Sequence, residues 1–111
     1  MKNKIFTLPV FDSRYKRFSK KFPSLESELL ELKDQLLENP KIGTLIAENT
    51  YKVRLASADK NSGKSGGFRI ITYLVEENMD GFDINLLLIY DKSEESSVKK
   101  AEIVKIIKRY F

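Results

Sequence analysis

Apolar residues along the first forty positions follow two spacings. Ile5-Phe6-Thr7-Leu8 is a short β-prone run stopped by Pro9, which predicts a strand near residues 4–8. Phe11, Tyr15, Phe18 and Phe22 then recur at intervals of four, three and four, which brings them onto one face of a helix. Asp12 or Ser13 is its expected cap. Pro23 ends this helix and Ser24 is placed to cap a second. The second helix carries Leu25, Leu29, Leu32 and Leu36 in one stripe, with Leu30 and Leu37 beside it, until Asn39-Pro40 stops it. Two successive amphipathic helices form a hairpin that has to cover an apolar surface.

That surface is predicted downstream, where the period changes to two. Tyr51-Lys52-Val53-Arg54-Leu55 alternates strictly, as a strand with one buried face does. A polar, glycine-rich loop spans 57–67. Phe68 to Val75 reads as a second strand of this group, 76–81 as a hairpin loop, and Phe82 to Tyr90 as a third. Within that third strand Leu86-Leu87-Leu88-Ile89 is apolar on both faces, the pattern of a central strand covered on both sides. Asp91 or Ser93 is the expected cap of a final helix whose stripe is Val98, Ala101, Val104, Ile107 and Phe111. The basic, amphipathic character of that helix predicts that it packs on the sheet or contacts a protein partner, its apolar stripe being the expected core face. The order β-α-α-β-β-β-α predicts one α+β domain over residues 1–111, with a small, largely antiparallel sheet packed against the N-terminal helical hairpin.

Composition narrows the chemistry. The 111 residues include no Cys, His or Trp, with 20 Lys plus Arg against 16 Asp plus Glu. Without Cys there is no disulfide scaffold or thiolate zinc site. Without His there is no imidazole triad or imidazole-based ribonuclease chemistry. No metal or other cofactor is expected. No apolar stretch approaches the roughly 20 residues of a membrane span, so a soluble cytoplasmic protein without a membrane partner is expected. The net charge of +4 conceals blocks: +6 over residues 1–21, −4 over 22–50, +4 over 51–72, −6 over 73–98 and +4 over 99–111. Basic blocks of this kind can attract polyanions, but solvated helix faces are the simpler account of them.

Residues 58–65 imitate a phosphate-binding P-loop, ending in Gly63-Lys64-Ser65 but starting with Ala58 in place of Gly. That motif needs a helix right after the Lys-Ser so that N–H groups point at the phosphates. Gly66-Gly67 and a β-branched strand follow instead. A nucleotide cofactor is therefore not expected.

Candidate chemistry lies on the strands. Lys52 and Arg54 share the face opposite Tyr51, Val53 and Leu55, and Arg69, Ile71 and Tyr73 share one face of the next strand. If the strands pair as neighbours, Lys52, Arg54, Arg69 and Tyr90-Asp91-Lys92 converge on one surface, with Lys60 and Lys64 above it on the loop. Cationic side chains hold a phosphate and spread its developing charge. Tyr stacks on an unstacked base or donates to the phosphate, and a Lys crowded by cations has a lowered pKa and can act as a base. The plainer reading is that Lys52 and Arg54 are the solvated face of a half-buried strand and Tyr90 a core residue with a wet hydroxyl.

These same segments, Tyr51-Lys52-Val53-Arg54-Leu55, the run Gly63-Lys64-Ser65-Gly66-Gly67-Phe68-Arg69, and Leu88-Ile89-Tyr90-Asp91-Lys92-Ser93-Glu94, resemble the RelE/ParE superfamily of bacterial toxins. The resemblance is greatest to the HigB-like, phage-associated branch and spans nearly the whole chain. It implies a RelE-like fold and a cytoplasmic toxin of a toxin–antitoxin pair. Many members are ribosome-dependent endoribonucleases (mRNA interferases), in which the RNA's own 2′-hydroxyl attacks the adjacent phosphate.

By this resemblance Lys52, Arg54, Arg69, Tyr90 and Lys92 are the expected catalytic residues, and Lys60, Lys64, Tyr73 and Asp91 the expected RNA contacts. Arg54 and Arg69 would stabilise the phosphorane-like state and Lys52 or Lys64 would deprotonate the 2′-hydroxyl. Lys92 or Tyr90 would assist the leaving 5′-oxygen, with Asp91 orienting its neighbours. The implied partners are messenger RNA on the ribosome and a cognate antitoxin, a small helix-turn-helix DNA-binding protein. The loop over 57–67 is longer than in compact members. Some members inhibit DNA gyrase without cleaving RNA, and others are inactive partners in operon repression. Fold alone does not assign an activity.

Overall fold

In a computed structural model, which describes residues 2–59, 67–77, 80–95 and 98–111, the chain forms eight elements. These are β1 (Lys4–Thr7), α1 (Pro9–Lys21), α2 (Leu25–Glu38), β2 (Thr44–Ala47), β3 (Thr50–Leu55), β4 (Phe68–Glu77), β5 (Gly81–Asp91) and α3 (Lys100–Tyr110). The strands make one mixed sheet in the order β1-β5-β4-β3-β2. Only the β1–β5 pair is parallel; the other three are antiparallel. The expected α+β class is observed, with one strand more than the periodicity predicted.

The added strand, β2, is a four-residue run, Thr44-Leu45-Ile46-Ala47, which doubles back through Glu48-Asn49 onto β3. Asn49 takes a left-handed φ of 58°, a conformation that Asn tolerates better than most residues. Gly43 enters the strand at φ 104°, where a Cβ would collide with the Lys52 carbonyl; only glycine permits that approach.

Each face of the sheet has its own core. Phe11, Phe18, Leu25, Leu29, Leu32 and Leu36 of α1 and α2 pack on Val53, Leu55, Phe68, Ile70, Leu74, Ile84, Leu86 and Ile89. Leu30 and Leu37, expected beside this stripe, are exposed. On the opposite face Ile71, Leu87, Leu88 and Tyr90 pack with Leu8 and with Ile103 of α3. The β4–β5 register jumps between Ile71↔Leu88 and Thr72↔Leu86, so Leu87 is an inserted, bulged residue. The bulge lets adjacent Leu87 and Leu88 share one core, which strict alternation forbids.

The helix boundaries differ from the expected caps. Pro9 is the first residue of α1 rather than its boundary, because a proline at the first helical position forfeits no hydrogen bond. Asp12 therefore lies inside the first turn. Ser24 occupies the cap position of α2, yet its hydroxyl makes no capping bond and lies 3.2 Å from the Ser57 hydroxyl. Asp91 and Ser93 do not cap α3, which begins at Lys100 without a side-chain cap. The stripe of α3 is met in part: Val98 and Ile107 pack on the cluster as expected, but the helix is rotated so that Ile103 is its buried residue, with Ile106 partly buried beside it and Ala101 exposed. Helical spacing alone allowed both stripes, and the side chains available on β5 select the bulkier one.

Because Ile103 is the one residue of α3 that is buried, Ile103→Ala should destabilise the fold by about 2–5 kcal/mol. Val104→Ala should cost less than half as much. Urea denaturation followed by circular dichroism measures both, and equal losses would contradict the observed helix rotation.

Candidate functional site

Strand register brings the expected residues into rows. Arg54 pairs with Arg69, and Arg69 with Tyr90, so these three lie side by side across β3, β4 and β5. One row along, Lys52 pairs with Ile71 and Ile71 with Leu88. Directly paired residues have Cα atoms only about 4.5–5.5 Å apart. Alternation puts this set on the α3 side, since Val53, Leu55, Phe68 and Ile70 all face the α1–α2 core.

Burial separates the members. Arg54 is exposed and Lys52 half-buried, whereas Arg69 is 4% and Tyr90 1% exposed. The two buried residues are therefore reached from solvent only through an opening beside them. Arg54 lies beyond the last β2–β3 pair, Thr44↔Lys52, at the open edge of the sheet. It also borders a groove of about 220 Å³ with Glu28 and Glu31 of α2. The Arg69 guanidinium donates to the Phe68 carbonyl at 3.2 Å. Burial raises the Tyr90 pKa above 10.0; the Arg69 charge partly offsets this and Glu95 adds to it. Near neutral pH Tyr90 is accordingly a phenol, able to donate a proton or hydrogen bond but unable to serve as a base.

The end of β5 is held by its own turn. An Asp91 carboxylate oxygen accepts the Ser93 N–H at 2.9 Å and the Ser93 hydroxyl at 2.8 Å. The Asp91 carbonyl accepts the Glu94 and Glu95 N–H groups at 3.0 and 2.9 Å. Asp91, only 3% exposed, thus shapes the turn that carries Lys92. The Lys92 N–H donates to the Gly67 carbonyl at 3.2 Å. Gly67 has φ 91°, and a Cβ there would lie 2.7 Å from the Leu55 carbonyl oxygen; a bulkier residue would push β4 away from the end of β3. Arg14 of α1 ties down the far side of the turn through Glu95 at 2.7 Å, and Arg17 pairs with Glu94 at 3.4 Å. Sequence reading passed over this tether, because opposite charges 81 positions apart leave no local signal.

The remaining expected residues are dispersed. Tyr73 is partly covered by Phe111, ring centroids 5.0 Å apart, so one face of its ring is already engaged. Lys60 and Lys64 lie outside the described residues, as does most of the P-loop look-alike. The stem of that loop is fastened to the start of α2. The Asp59 carboxylate accepts the Ser24 N–H at 2.7 Å, and the Glu28 carboxylate accepts the Ala58 N–H at 2.8 Å. The stem therefore leaves the sheet beside α2.

Residues outside the expected set join it, among them Lys100 and Ile46. A cavity of about 120 Å³ lies between the start of α3 and the sheet, bordered by Lys52, Ile71 and Tyr90 together with Ile46, Val98, Lys100 and Ile103. Lys100 had merged with the general basicity of the last helix, and Ile46 belongs to the unforeseen strand β2. The run 44–47 between Gly43 and Asn49 was the available signal for the latter. A larger groove, about 260 Å³, borders Asp12, Tyr15, Glu26 and Lys33 on the helical hairpin and includes none of the candidate residues.

The Tyr90 shift has a pH consequence with a fixed sign. Its folded pKa is raised, so the unfolded chain loses the phenolic proton first. The stabilisation is present in full below about pH 10 and is lost as pH rises through the elevated folded value. Tyr15, raised by burial and by Glu26, contributes in the same direction. Denaturation midpoints measured from pH 8 to 11.5 should fall above pH 10, and Tyr90→Phe should flatten that decline. An unchanged slope in Tyr90→Phe would place the hydroxyl in solvent.

Compared with models of known protein families, the chain matches none, so its functional reading rests on what these side chains can do.

Proposed function

We propose that the chain is a cytoplasmic toxin of the RelE/ParE type, a ribosome-dependent endoribonuclease held inactive by a cognate antitoxin with a helix-turn-helix fold. The observation that carries this reading is the row Arg54–Arg69–Tyr90 across three neighbouring strands, with Lys52 beside it. Two guanidiniums, a lysine and a neutral phenol on one surface suit a reaction that builds negative charge on phosphorus-bound oxygens.

In the proposed step the substrate's 2′-oxygen forms a bond to the adjacent phosphorus, and the bond from phosphorus to the 5′-oxygen breaks. The products are a 2′,3′-cyclic phosphate and a 5′-hydroxyl. A base, for which Lys52 is the nearest described candidate, takes the 2′-hydroxyl proton. Tyr90 or Lys92 returns a proton to the leaving 5′-oxygen; the raised pKa of Tyr90 keeps it in the donor form. Arg54, exposed at the sheet edge, meets the phosphate directly. Arg69, buried beneath it, adds fixed positive charge from below, where low polarity strengthens its field.

Arg54→Ala is the cleanest test, because loss of an exposed side chain leaves the fold intact. Induction of the wild-type chain should arrest growth and generate new RNA ends at translating ribosomes. Arg54→Ala should reduce cleavage by about 10²-fold or more. Arrest with intact messages and accumulating DNA breaks would instead identify a gyrase inhibitor. Full toxicity with unchanged RNA ends in Arg54→Ala would sink the assignment of this surface.

A further inference from the structure

We infer that the cavity beneath the first turn of α3 is a base-recognition subsite that accepts a keto-bearing nucleobase, guanine or uracil, in preference to adenine or cytosine. The inference deepens the ribonuclease reading, on which its choice of ligand class rests. The cavity, about 120 Å³, suits one planar heterocycle and is well below the roughly 300–1,000 Å³ of drug-sized sites. Its walls are aliphatic: Ile71 and Ile103 are buried, and Ile46 and Val98 are half-buried toward the opening. Such walls suit the two faces of an unstacked base.

The polar groups at the cavity are donors. Lys100 borders it from the first turn of α3, across from Lys52 of β3, and the Lys100 ammonium offers hydrogens with no acceptor. Tyr90 borders it from β5, and a phenol can donate a hydrogen bond to an acceptor that enters. Burial holds the phenol in its protonated form, which again supplies a hydrogen. In addition, α3 starts at Lys100 without a side-chain cap, so the positive end of the helix faces the same region.

A donor-lined slot discriminates among bases by their edges. Guanine presents the O6 and N7 acceptors and uracil presents O4, whereas the adenine and cytosine amino groups are donors and would confront the Lys100 ammonium. Lys100, exposed on α3, is therefore a specificity-determining residue.

The test is an amide-shift titration of the full ¹⁵N-labelled chain with 5′-GMP, 5′-UMP, 5′-AMP, 5′-CMP and inorganic phosphate. GMP and UMP should shift the amides of Ile71, Tyr90, Lys100 and Ile103. Their Kd values should be at least about fivefold lower than those of AMP and CMP, the low end for one good base contact. Lys100→Ala should erase that difference and Lys100→Arg should keep it. Equal titration by all four nucleotides and by phosphate would mean a plain anion site and overturn the proposal, as would shifts that avoid these residues. Cleavage of RNA by the same preparation is scored separately. A chain that cleaves without base discrimination defeats the subsite alone, and one that discriminates bases without cleaving defeats the nuclease reading alone.

Discussion

Burial of β5 on both faces is the constraint on which the other elements depend. Every residue from Ile84 to Asp91 is buried, so neither side of the strand can face water. A two-sided apolar strand needs a cover on each side. The hairpin of α1 and α2 supplies one and α3, arriving after β5 ends, supplies the other. The bulge at Leu87 adjusts the strand to these unequal covers: Leu86 remains with the hairpin while Leu87 and Leu88 both turn to the α3 side. The thinner cover is α3, which anchors its stripe on Ile103. The cavity lies under that thinner cover.

This arrangement also explains how a strongly basic residue comes to be buried. Arg69 belongs to β4, the middle strand of the sheet, and occupies the row that ends at Tyr90. An isolated charge at such depth would be costly. Its guanidinium is not isolated, for it donates to the Phe68 carbonyl and lies close enough to Tyr90 to oppose the burial-driven rise of the phenol's pKa. A fixed cation beside a neutral phenol is thus oriented by the fold itself, the pre-organisation on which the proposed electrostatic role of this pair depends.

Legibility in the sequence followed the range of the interactions concerned. Phe11 and Phe18 on α1, the four-leucine stripe of α2 and the alternation of β3 were readable because each is fixed by a local period. The two-sided character of Leu86–Ile89 was readable for the same reason. The rotation of α3 was not, because Val104 and Ile103 are neighbours on the helix and only the β5 surface chooses between them. Asp91 and Ser93 have the composition of a helix cap, yet they close a turn of their own, as short polar side chains do in either setting. The side-by-side placement of Arg54, Arg69 and Tyr90 could be expected from strand order. Their unequal burial could not, since it depends on how far α3 and β2 extend over the sheet. Lys100 was hidden because a lysine at the start of a basic helix looks like solvated surface until a cavity opens beneath it.

Charge blocks take on a different meaning once the fold is known. The most basic block, residues 1–21, and the most acidic, 73–98, meet where Arg14 and Arg17 of α1 hold Glu95 and Glu94. Part of that N-terminal positive charge is therefore spent inside the molecule, fixing the turn after β5. Lys52, Arg54 and Lys100 differ: among the described residues no ion pair engages them. They come from separate parts of the sequence, β3 and α3, and the sheet register together with the return of α3 brings them to one end of one face. Among the described residues none of the three is tied up in such an ion pair, although Arg54 shares a groove with Glu28 and Glu31. The distribution of these cations over one end of one face, rather than the net charge of +4, is what sets the local electrostatics there.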